Sequence, residues 1–88
     1  MRVLITGGYG FIGAWIIRNL LARGAHVWVL DLREDDRRLR LVLPESEVAK
    51  VAFVQGDVTD LNALNTALKQ YQITHVIHLA GLQVPTCR

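Results

Sequence analysis

The residues with the clearest chemical promise are three glycines spaced three apart. Gly7, Gly10 and Gly13 fall in the run Val3-Leu4-Ile5-Thr6-Gly7-Gly8-Tyr9-Gly10-Phe11-Ile12-Gly13. A short apolar strand runs there into a glycine-rich turn, and an apolar-periodic helix follows at once. That order lets a backbone hold a pyrophosphate against a helix N-terminus. Gly7 allows the sharp turn off the strand, Gly10 lets phosphate approach the main chain, and Gly13 lets the helix pack closely on the sheet. The first-turn N–H groups lack intrahelical partners and carry roughly half a positive charge between them. A pyrophosphate dianion suits them. A nucleotide-triphosphate P-loop is excluded, because Ala14 and Trp15 stand where a Lys-Ser/Thr pair is required.

A glycine triplet needs its context, and three features supply it. Residues 2–6 read as the preceding strand. After the turn, Ile12, Ile16, Ile17, Leu20 and Leu21 recur on one helical face, with Gly24 as the C-terminal stop. Asp31 then closes a second strand over residues 25–32, 18 residues beyond Gly13. Its carboxylate can accept hydrogen bonds from adenosine ribose hydroxyls and repels a 2′-phosphate, which favours NAD over NADP. Arg33, two residues later, keeps NADP open, since an arginine there can pair with that phosphate. Asp57 has two readings, as a ligand contact or as a turn residue capping its own backbone.

The elements that must position these groups follow from the rest of the chain. Residues 51–55 read as a third strand, and Gly56-Asp57-Val58-Thr59-Asp60 as a turn in which Thr59 or Asp60 caps the next helix. In that helix Leu61, Leu64, Leu68 and Tyr71 form an apolar stripe, and residues 74–79 make a fourth strand. Alternating strands and helices of this kind build an α/β fold, a doubly wound parallel sheet of order 3-2-1-4. Its ligand crevice lies at the carboxyl ends of strands one and four. The turn from Gly7 to Gly13, Asp31, Asp57 with Val58, and Leu79, Ala80 and Gly81 all fall at such ends. A ligand spread across the sheet accounts for that coincidence.

Composition narrows the function further. The 88 residues allow at most one small domain, yet 51% are hydrophobic. That is more apolar surface than four strands and two good helices readily cover, so a larger parent domain is expected. A net charge of +2, with no basic run interleaved with aromatics, does not point to nucleic acid. Residues 33–40 mix arginines with acids and read as a solvated loop or short helix. No apolar stretch approaches the length of a membrane span, and Met1 leads directly into a core strand. Cys87 is the single cysteine, which fits a reducing cytoplasm. His75 and His78 point to opposite faces of a strand and cannot chelate a metal together. With His26 they read as packing or rim residues.

The set Thr6-Gly7-Gly8-Tyr9-Gly10-Phe11-Ile12-Gly13, Asp31, Gly56-Asp57-Val58-Thr59-Asp60 and His78-Leu79-Ala80-Gly81 resembles the extended short-chain dehydrogenase/reductases. It is most similar to their NAD-dependent epimerase/dehydratase branch, which includes UDP-glucose 4-epimerase-like proteins. The resemblance implies a Rossmann-type sheet with NAD as cofactor and a nucleotide-sugar or other small molecule as substrate. It also implies that the complete protein forms a homodimer. By the same resemblance the backbone at Phe11 and Ile12 meets the pyrophosphate, Asp31 the adenosine ribose, and Asp57 and Val58 the adenine. Leu79, Ala80 and Gly81 then line the cofactor, and residues 84–86 border the substrate. The family's catalytic Tyr-x-x-x-Lys pair has no counterpart: Gly13 follows Tyr9 by four residues, and His75 follows Tyr71. The expectation is therefore that residues 1–88 are the N-terminal, cofactor-binding part of a larger oxidoreductase. A stand-alone dinucleotide-binding module, or a structural protein without a ligand, remains open as an alternative.

Overall fold

β-Branched and aliphatic residues in succession favour extended backbone, and Arg2–Thr6 forms the first strand, β1. Val3, Leu4, Ile5 and Thr6 are each at most 1% exposed. A strand buried on both faces is the signature of a parallel sheet covered by helices on either side. The structure, a computed structural model, describes residues 1–7 and 9–79. Its remaining elements are α1 (Phe11–Ala22), β2 (His26–Asp31), α2 (Arg37–Val42), α3 (Glu45–Val48), β3 (Val51–Gln55), α4 (Leu61–Gln70) and β4 (His75–His78). The four strands are parallel and ordered β3-β2-β1-β4, as the alternation of elements predicts. The reversal of direction beside β1 opens the crevice at the carboxyl ends of β1 and β4.

One face of the sheet carries the main core. Val3 and Ile5 of β1, Val27 and Val29 of β2 and Phe53 of β3 pack there against Ala14 and Ile17 of α1, Leu39 of α2 and Val48 of α3. Each fully buried aliphatic side chain of this set is worth about 1.5–3 kcal/mol. The helical stripe is rotated from the sequence expectation. Gly13, Ala14 and Ile17 form its buried centre, whereas Ile12 is 63% exposed. At 100° per residue Ile12 lies about 140° around the helix from Ile17, so it cannot share the sheet-facing side. Gly24, at φ +81°, takes the left-handed conformation that ends α1.

The opposite face carries α4 alone among the described elements. Trp28 stacks on Tyr71 with ring centres 5.5 Å apart, and the Arg2 guanidinium lies 4.7 Å over the Trp28 ring. Arg2 Nε also donates to the Tyr71 carbonyl at 2.7 Å, tying the end of this crossover to β1. Ala67 is the buried centre of the helix, and Leu61, expected in its stripe, is 69% exposed. Leu61 lies about 120° around the helix from Ala67, which turns it away from the sheet. Val76 on β4 is 48% exposed on this thinly covered face. The apolar excess read from composition thus shows as uncovered strand surface.

Asp60 caps α4, accepting from the amides of Asn62 at 3.0 Å and Ala63 at 3.2 Å. Asp60→Ala removes that cap and is expected to cost about 1 kcal/mol. In thermal denaturation this reads as a midpoint lowered by about 4–8 °C for a domain of this size. An unchanged midpoint would show that water replaces the cap without loss.

Candidate functional site

The site begins where β1 ends. Gly7 adopts φ +70°, and its amide donates to the Leu30 carbonyl at 3.1 Å, so the chain turns sharply off the sheet while still held to β2. Tyr9 folds back under the turn, 7% exposed, with its ring 6.0 Å from that of Phe53. Burial pushes its phenol far above the ordinary tyrosine range, and the carboxylates of Glu34, Asp36 and Asp31 push the same way. Tyr9 thus acts as a buried wedge beneath the loop. Gly10 follows as the N-cap of α1 in extended backbone, φ −81° and ψ 179°. Any residue can adopt that conformation, and a Cβ built there meets nothing within 4 Å. Neither backbone nor packing requires a glycine at this position. What its missing side chain preserves is open space in front of the helix.

That space faces unsatisfied donors. The first helical bond runs from the Ala14 amide to the Gly10 carbonyl at 3.0 Å, so the amides of residues 11–13 have no intrahelical acceptor. No side chain among the described residues caps them, and the first turn carries no acidic residue. Among the described residues nothing compensates the partial positive charge of this helix end.

A cavity of about 580 Å³ opens from this turn toward the loop after β2, lined by Gly7, Gly10, Asp31, Leu32, Arg33 and Arg38 among others. Asp31 sits at the end of β2 with Oδ1 accepting from the Leu32 amide at 2.8 Å. Its second carboxylate oxygen has no hydrogen-bond partner among the described residues. The three arginines of α2 divide into two kinds. Arg37 is bound through Nε and Nη2 to both oxygens of Asp35 at 2.8 Å, and Arg40 pairs with Asp36 and Glu45. Arg38 instead lies 4.7 Å over the Phe11 ring, without a carboxylate partner among the described residues. A cation is thus stationed at the mouth of the cavity, beside the first residue of α1.

Gly7, Gly10 and Asp31 are brought together around this single cavity. Phe11 and Ile12 open α1 with exposed side chains and do not line the cavity, and Gly13 is buried where α1 meets the sheet. Asp57 and Val58 follow β3 but do not line this cavity. Asp57 Oδ1 accepts from the Thr59 amide at 2.9 Å and the Thr59 hydroxyl at 2.7 Å, and those bonds hold its carboxyl below the ordinary range. The self-capping reading of that turn is what its side chain does. Leu79 is buried, and its amide donates to the Thr6 carbonyl at 2.9 Å. Ala80, Gly81, residues 84–86 and Cys87 lie outside the described residues. The segment at 33–40 is a loop running into the short helix α2, and Arg38 on that helix is a contributor that spacing alone did not single out. A basic residue one helical turn before the half-buried Val42 carries no periodic signal; only the packing of α2 on α1 puts it beside Phe11.

The sequence model of the family described as GDP-mannose 4,6 dehydratase matches residues 4–86. The chain belongs to that family. UDP-glucose 4-epimerase of Erwinia amylovora is 37% identical over 84 residues, which cover 94% of this chain and 25% of that protein. A probable dTDP-glucose 4,6-dehydratase of Sinorhizobium fredii is 36% identical over 81 residues, 92% of this chain and 23% of its own length. Among solved structures, Thermus thermophilus UDP-glucose 4-epimerase in complex with NAD matches with a TM-score of 0.66 and 41% identity. It aligns with 89% of this chain and 23% of that one. The resemblance to the NAD-dependent epimerase/dehydratase branch is borne out, and so is the Rossmann-type sheet. The chain spans about a quarter of the length of these relatives.

The Asp35–Arg37 pair on the cavity wall yields a pH prediction. The Arg37 hydrogen bonds hold the Asp35 carboxyl at about 2, below its ordinary value. A depressed carboxylate contributes above its unfolded pKa, and that contribution is lost as pH falls through about 2. Side-chain carboxyl NMR is expected to find Asp35 titrating at about 2, and Arg37→Ala to raise it toward the ordinary aspartate value. An ordinary value in the unsubstituted protein would show that the pair does not persist in solution.

Proposed function

We propose that this chain is the NAD-binding segment of a sugar-nucleotide epimerase- or dehydratase-like oxidoreductase. The observation that carries the reading is Gly10, a glycine that the fold does not need, placed where a side chain would fill the space before the free amides of α1. A pyrophosphate fits that space by charge and by hydrogen bonding. In this reading the amides of Phe11 and Ile12 hold the pyrophosphate, with Gly7 and Gly13 shaping the turn and helix around it. The free oxygen of Asp31 receives the adenosine ribose hydroxyls, and Arg38 adds positive charge at the cavity mouth. Asp57 and Val58 flank the adenine, and Leu79, Ala80 and Gly81 line the cofactor from β4.

When bound, NAD supplies a hydride acceptor and donor. This chain's own residues bind and orient it, because no tyrosine here is followed four residues later by lysine. The acid/base step and most substrate contacts belong to the remaining length that its relatives possess, and residues 1–88 form the N-terminal part of that domain. A nucleotide-sugar substrate is supported by the solved relatives: one is a Bordetella bronchiseptica enzyme in complex with NAD and UDP. NAD is preferred to NADP here because the Asp31 carboxylate would face a 2′-phosphate in the same cavity.

Two substitutions test the reading by calorimetric titration on folded protein. Gly10→Ala is expected to leave the thermal midpoint within a few degrees of the parent and to weaken NAD binding about tenfold or more, or at least ~1.4 kcal/mol. Unchanged affinity would mean that no phosphate approaches this backbone. Asp31→Ala is expected to weaken NAD about tenfold, the scale of a hydrogen bond to a charged group, while NADP binding holds or improves. Equal losses for both cofactors would remove Asp31 from the ribose.

A further inference from the structure

We infer that Thr6 and His78 form a positioning pair that holds Gly7 and Leu79, the first residues beyond β1 and β4, in fixed relation across the crevice. The inference rests on the dinucleotide reading of that crevice, and it assigns a role to two side chains that the reading leaves unused. Thr6 is a buried hydroxyl, 1% exposed, directly after the aliphatic run Val3-Leu4-Ile5. Valine has nearly the same shape and would avoid the cost of burying a hydroxyl. The hydroxyl is instead spent on a specific partner. Thr6 Oγ1 lies 2.6 Å from His78 Nδ1, a short hydrogen bond whose donor depends on the imidazole tautomer.

The placement of this bond is what makes it functional. Thr6 and His78 are paired in register and are the last residues of β1 and β4. The next residue on one side is Gly7, which starts the phosphate turn, and on the other Leu79, which opens the cofactor-lining segment. Thr6 is also gripped through its carbonyl by the Leu79 amide at 2.9 Å. Backbone and side chain therefore clamp the two strand ends together at the point where the sheet reverses its order. His78 itself is exposed on the thinly covered face, so filling a core is not its task. An aliphatic residue would serve the strand equally well; only a side chain with a polar atom at the Nδ1 position meets the Thr6 hydroxyl.

The test compares NAD affinity, thermal midpoint and amide hydrogen exchange in Thr6→Val, His78→Phe, the double variant and two conservative variants, Thr6→Ser and His78→Asn. Asparagine keeps a polar atom near the Nδ1 position, and serine keeps the hydroxyl. Thr6→Val and His78→Phe are each expected to weaken NAD about fivefold, the scale of one hydrogen bond. The double variant should lose no more than either single one, because both remove the same interaction. Thr6→Ser and His78→Asn should stay within about twofold of the parent. Exchange at the Gly7 and Leu79 amides should quicken in Thr6→Val and His78→Phe ahead of the rest of the sheet. Lowered midpoints with unchanged affinity, additive losses, or unaltered exchange at those two amides would each overturn the positioning role. If the parent protein bound no NAD, the dinucleotide reading would fall by itself. The exchange pattern would still decide whether the pair holds the strand ends.

Discussion

Everything in this fold is arranged around four consecutive residues that are almost wholly shielded from water. Val3 to Thr6 of β1 are hidden on both faces and hydrogen-bonded along both edges, so each of these side chains must be matched by a neighbour. That requirement forces helices onto both sides of the sheet and makes each crossover return in parallel. It also dictates what happens when the strand stops. The chain leaves a dry, fully paired environment and must turn at once, and Gly7 provides the backbone conformation that permits it. The helix that covers one face then begins after four residues, at Phe11.

The polarity of the site follows from that geometry. Parallel strands deliver their carboxyl ends to one rim, and helices entering from that rim present their N-termini there. The resulting surface combines uncompensated donors on α1 with a carboxylate at the end of β2 and a cation on α2. These charges differ in how firmly they are held. Asp35, Asp36 and Glu45 neutralise Arg37 and Arg40, leaving Arg38 beside the cradle.

The sheet is covered unequally. Three helices pack on one face and α4 alone, among the described elements, on the other, where aromatic stacking of Trp28 and Tyr71 under Arg2 substitutes for a broad aliphatic contact. β4 sits at the edge of this thin side. It is held to β1 by the ladder, by Ile77 and Leu79 in the core, by the Thr74–Arg2 bonds at one end and by the Thr6–His78 bond at the other.

Much of this is legible in the residues alone. The glycine spacing, the apolar strand before it and the aspartate closing the next strand specify the sheet order and the cavity rim, because strand and turn chemistry are local. The helical stripes are less legible. Ile12 and Leu61 fit an apolar periodicity but face solvent, since periodicity marks a family of faces and the sheet's position selects among them. Asp57 carries two readings in sequence, and its bonds to Thr59 are a matter of where one turn's hydroxyl and amide fall. Arg38 over Phe11, the open space before Gly10 and the Thr6–His78 bond join residues far apart along the chain. Local propensity contains no term for such pairs, so only packing in three dimensions decided them.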